Sequence, residues 1–153
     1  MAAKVGLMNW VGRLAGYALL TVLVLQSAVI VARSLFSVSL PWLDESVIYA
    51  HATTIALAIA WTLSADRHVR IDILRVRLSV TAQRVVERIG LAAIVAASFG
   101  LILLSINFVS SSWAVQEGSS QFGGLPGVFL VKSLVPVLFA LLALAAFQRL
   151  RRI

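Results

Sequence analysis

The sequence predicts an all-α membrane protein of four transmembrane helices, with both termini on the cytoplasmic side. Three observations carry that prediction: an apolar excess, four long apolar runs, and basic residues gathered on one side of them. Of the 153 residues, 61% are hydrophobic and 12% are charged, whereas soluble domains carry roughly 45–50% apolar and about 25% charged residues. So little polar surface could not cover that much apolar side chain in water, so lipid must be the solvent for most of the chain.

A helix rising 1.5 Å per residue needs roughly 20 apolar residues to cross about 30 Å of hydrocarbon. Four stretches are long enough: about 14–32, 47–65, 89–109 and 128–147. The first follows Lys4 and Arg13 and outruns the roughly 7–15 residues of a signal h-region, with no Ala-x-Ala site after it, so it is expected to be retained. Ala52, Ala56, Ala60 and Ser64 form a small-residue ridge on the second run, where close helix approach is expected. Ala92, Ala96 and Gly100 form a similar ridge on the third, and Gly12 with Gly16 a shorter one at the first. Pro136 removes a backbone donor inside the fourth run and predicts a kink.

Orientation follows from the cations. Lys4 and Arg13 precede the first run, six arginines lie between the second and third, and Arg149, Arg151 and Arg152 close the chain. Of 13 basic residues only Arg33 and Lys132 fall on the other side, which also carries Asp44, Glu45 and Glu117. The positive-inside rule then makes the termini and the middle segment cytoplasmic.

The middle segment, about 66–88, is expected to lie along the lipid surface. Ser79 is an expected N-cap, and Ala82, Val85, Val86 and Ile89 recur at helical spacing with Arg84 and Arg88 on the other face. The run GSSQFGGLPG, Gly118–Gly127, reads as an external loop. The whole chain, 1–153, is expected to form a single membrane domain.

The polar inventory bounds the chemistry. The net charge of +7 sits in short segments between apolar runs, not on one face of a folded domain, which argues against nucleic-acid binding. There is no cysteine, which excludes disulfides and thiolate chemistry. His51 and His68 are the only histidines, and they do not pair within the membrane to ligate haem. His51 is expected to hydrogen-bond a neighbouring helix, and Lys132 to snorkel outward or pair with another subunit. Asp44 and Glu45 complement the dipole of the second helix. No nucleophile, base and acid assemble, so no enzyme and no cofactor is expected. No span has a central Asp or Glu, so an ion-coupled transporter acting alone is not expected either. The inference is an accessory subunit whose active partner is another polypeptide.

Two segments narrow that inference. PWLDES, Pro41 to Ser46, opens the second helix, and DRHVRIDIL, Asp66 to Leu74, leaves it. With four helices in this orientation the chain resembles the small, DctQ-type membrane subunit of tripartite ATP-independent periplasmic (TRAP) transporters. The matching positions are Trp42, Asp44 or Glu45, His68 and Asp72, and GLPG followed by Lys132 and Pro136 resembles some branches. The acidic position is a doublet here, which leaves open which residue is the family's acid. The resemblance implies a bacterial inner-membrane protein without cofactor or metal. Its implied partners are a large membrane permease subunit, which carries the sodium and substrate sites, and a periplasmic solute-binding protein that captures an organic acid. The small subunit would brace the stationary part of the large one, with His68 and Asp72 fixing the exit of the second helix. A generic four-helix scaffold or assembly subunit of another complex is the alternative.

Overall fold

The computed structural model describes residues 2–65 and 78–153, so His68, Asp72 and most of the expected interfacial segment lie outside the described residues. The described residues are helical and loop, and four helical spans are long and apolar enough to cross a membrane. Helix α1 is Ala2–Phe36, α2 Pro41–Ser64 and α3 Val80–Ala114; the fourth span is divided into α4, Val128–Lys132, and α5, Leu134–Leu150.

The helices overrun the apolar stretches because hydropathy marks only the part inside hydrocarbon. At 35 residues each, α1 and α3 are about 52 Å long, well beyond the ~30 Å apolar slab. Local chemistry sets their ends. Pro41 suits the first turn of α2, where its missing N–H costs nothing. Ser79 caps α3, its hydroxyl accepting the Ala82 N–H at 3.3 Å. The far end of α3 closes with Gln116 in the left-handed region (φ 45°), Gln116 N–H bonding Trp113 C=O and Glu117 N–H bonding Ser112 C=O. The fourth span breaks at Ser133 rather than at Pro136 itself, because the ring leaves without a donor the carbonyl four residues back, that of Lys132.

The packing order across the molecule is α1, α2, α5, α3: α1 lies along α2, α2 along α5, and α5 along α3. This is an open row, and most large side chains of α1 and α3 face outward. A core of Met8, Ala60, Leu63, Leu91, Ala145 and Ala146 joins all four spans at the end that carries both termini. Ala56 and Ala60 of the α2 ridge are buried, Ala52 and Ser64 partly so. Gly12 approaches α2 so closely that a Cβ there would run into the Trp61 indole, whereas Gly16 has open space around it.

Two expectations are corrected. Ala92 and Ala96 are exposed, and α3 instead buries Leu91, Ser98, Ser105 and Ser112. Those positions recur every seventh residue, the seam of two helices crossing at a shallow angle, and serines there permit close backbone approach. His51 points away from the other helices and makes no hydrogen bond among the described residues.

Candidate functional site

Polar groups collect at the two ends of the row. At the loop end, the chain leaves α1 through Ser37 (φ 53°) and enters α2 four residues later. Arg33, on the last turn of α1, donates to Asp44 on the first turn of α2 at 2.6 Å. The pair sits on the outside, with Arg33 56% exposed, so it contributes at most about 1 kcal/mol.

Glu45, the next residue, does something different. Its Oε1 accepts from the Ser119 hydroxyl and its Oε2 from the Leu125 N–H at 2.6 Å. A carboxylate on α2 thereby anchors both strands of the Gly118–Gly127 loop, which is pinched by an antiparallel bridge between Gly118 and Pro126. Gly124 is required by that approach, since a Cβ there would run into the Ser119 hydroxyl and lie 2.7 Å from Glu45 Oε1. The two members of the acidic doublet therefore bind different partners. Trp42 precedes them at the start of α2 and stays 47% exposed.

Lys132 finds its partner inside the chain. Its ammonium donates to Glu117 and lies 4.5 Å from the centre of the Phe108 ring. Glu117 also accepts from the Ser112 hydroxyl at 2.7 Å. Alongside, the Trp113 indole donates to Ser133 Oγ at 2.8 Å and meets Phe129 edge to face at 4.7 Å. These contacts fasten the break in the fourth span to the end of α3.

The hydrogen bonds from Lys132 and then Ser112 hold the Glu117 carboxyl below the usual carboxylate range. An acid with a lowered folded pKa adds stability that is present above its unfolded pKa and lost as pH falls through the folded one. The chain has no cysteine, so a nitroxide on Phe122→Cys reports the loop alone. Its mobility should rise on acidification from about pH 5 to about pH 3, and the added Glu117→Gln change should flatten that response. An identical pH profile in both proteins would refute the assignment.

At the opposite end, Arg149 of α5 donates from Nε and Nη2 to Glu87 of α3, at 2.9 and 2.6 Å, and from Nη1 to the Leu63 carbonyl of α2 at 3.3 Å. One guanidinium thus ties three helices. In the sequence Arg149 is legible only as a topology signal. Its position in the last turn of α5, one residue after Gln148, gave no sign of the Glu87 partner 62 residues away.

The geometry is that of a four-span membrane unit whose charges are spent at its two ends. The pattern of the DctQ component of tripartite ATP-independent periplasmic transporters matches residues 9–153. The chain belongs to that DctQ family. It is accordingly a small membrane subunit of a TRAP transporter, a transporter component rather than a member of a known enzyme family. No curated protein matches it. For a DctQ component, the arrangement of acids matters most. Among the described residues Asp44, Glu45, Glu87 and Glu117 all lie at or near helix ends, and each holds a hydrogen bond or ion pair within the chain. No group of His, Cys, Asp and Glu among the described residues is arranged to hold a metal ion.

Proposed function

We propose that this chain is the bracing subunit of a sodium-coupled TRAP transporter for organic acids, embedded in a bacterial inner membrane with both termini cytoplasmic. One observation carries the reading: every acidic side chain among the described residues is committed to internal contacts at the helix ends. Ion coupling needs ionisable groups facing a pathway inside the membrane, and among the described residues no acidic side chain is placed there. Coupling and cargo binding then fall to a large membrane permease subunit, with capture by a periplasmic solute-binding protein. The open row supports the bracing role, since α1 and α3 each leave a long apolar flank for lipid or for that partner. Residues 1–153 act as one membrane domain in this reading, and Trp42 and the α3 ridge are candidate contact positions.

Deleting the chain from cells that retain the other two components should abolish sodium-driven uptake. The purified chain alone in liposomes should accumulate no solute. Accumulation by the chain alone would overturn the proposal. Uptake that survives the deletion, with co-purification of some unrelated complex, would favour a generic assembly subunit instead.

A further inference from the structure

The end of the row that holds the termini contains a crevice of about 200 Å³, between α1 and the C-terminal ends of α2 and α5. Asn9, Ser64, Gln148, Arg149 and Arg152 supply its polar wall, and Met8 and Ala145 its floor. Its depth in a membrane follows from the helix lengths. Gln148 directly follows the fourth apolar run, and Asn9 precedes the first by five residues, about 7 Å of helix. The headgroup layer is about 5–7 Å thick on each side of the hydrocarbon. The crevice therefore opens among headgroups, not in water and not among acyl chains.

Its charge is positive and partly fixed. Arg149 is compensated by Glu87 and immobilised by the Leu63 carbonyl, so it forms a rigid wall and offsets the unfavourable carbonyl end of α2. Arg152 is exposed and makes no ion pair among the described residues. Arg151, over the Phe147 ring at 4.3 Å, adds a second cation nearby. Glu87 is the one acidic side chain among the described residues at this end and Arg149 holds it, while the main-chain oxygen of Ile153 accepts from Arg88 at 3.1 Å. Amide donors from Asn9 and Gln148 complete the lining. A cavity of this size has room for about six waters, ample for a phosphate diester.

We infer that this crevice binds the phosphate of an anionic phospholipid. An amphiphile suits it better than a free anion because apolar Met8 and Ala145 line it beside the polar groups, and exposed rings follow and precede the lining residues along α1 and α5. Trp10, next to Asn9, is 61% exposed, and Phe147, next to Gln148, is 42% exposed. A phosphate between Arg152 and the amides leaves the acyl chains to run along those rings. The inference rests on the membrane-spanning architecture and not on transport, so a failure of the transport reading leaves it standing.

The test uses the full chain in neutral detergent, with native mass spectrometry in the presence of phosphatidylglycerol or phosphatidylcholine of identical chains. Phosphatidylglycerol should be retained about five-fold more, the effect of roughly one interfacial cation. Arg152→Gln should erase the difference. Arg13→Gln removes an exposed charge near the same end but outside the crevice, and should leave the preference intact. Millimolar inorganic phosphate should displace nothing. Equal retention of the two lipids, or an equal loss in both variants, would overturn the site, and displacement by inorganic phosphate would overturn its assignment to lipid.

Discussion

Arg149→Ala is expected to destabilise the chain by about 3–5 kcal/mol, the usual cost of removing one member of a largely buried ion pair. Arg149 and Glu87 are only 14% and 16% exposed, so solvent screens them little. The substitution removes two donors to Glu87 and the guanidinium's third bond, to the Leu63 carbonyl. The loss falls one helical turn from Leu91, which packs in the core with Ala145 and Ala146. Three helices lose their common tie, so the loss should appear as a cooperative shift in denaturant titration of the detergent-solubilised protein. An accompanying Glu87→Leu should return much of the stability, because a buried pair replaced by apolar side chains of similar size is often neutral or better. A shift below about 1 kcal/mol for Arg149→Ala would mean that the pair is screened like a surface one. Arg33→Gln gives the contrast, since Arg33 is itself more than half exposed beside Asp44.

The sequence disclosed these features unequally, for reasons that differ residue by residue. The four spans were legible because exclusion of water from hydrocarbon acts on composition alone, whatever the tertiary arrangement. The Ser79 cap was legible because it is settled within four residues. The proline effect was legible in kind but displaced in position, since the carbonyl that Pro136 deprives belongs to Lys132. What the sequence hid is which helix face turns inward. In water, burial separates apolar from polar faces, but lipid is as apolar as the protein interior and removes that contrast. The alanines of α2 and α3 looked alike, yet Ala56 and Ala60 are buried while Ala92 and Ala96 are exposed. Serines 98, 105 and 112 are buried on α3, yet Ser105 bonds the Ile102 carbonyl of its own helix, so in sequence it reads like any other membrane serine. Lys132 was singled out, but its partner was not, because Glu117 meets it only through the fold of the intervening loop. The division of labour between Asp44 and Glu45 was equally hidden, since the Leu125 N–H lies 80 residues from Glu45.

That contrast between the two alanine ridges yields the second large effect. Ala60 is fully buried and packs with Ala145 and Ala146, which are 1% and 0% exposed. Here α2 and α5 meet with almost no side chain between them, and α2 is the link that joins α1 to the rest of the row. Ala60→Leu inserts three heavy atoms where no void exists. Overpacking of this kind costs about 1–3 kcal/mol and more where backbones must separate. The expected result is a lower melting temperature of the isolated chain in detergent, with weaker protection of α1 from proteolysis as α2 is pushed off α5. Ala96→Leu makes the same chemical change on an exposed face of α3 and should alter the isolated chain by no more than about 0.5 kcal/mol. If the large permease subunit covers that face, Ala96→Leu should instead lower recovery of the assembled complex while the free subunit melts normally. The pair of substitutions therefore separates packing within this chain from packing against its partner. An unchanged melt for Ala60→Leu would show that α2 and α5 are not in close contact, and the row itself would then be wrong.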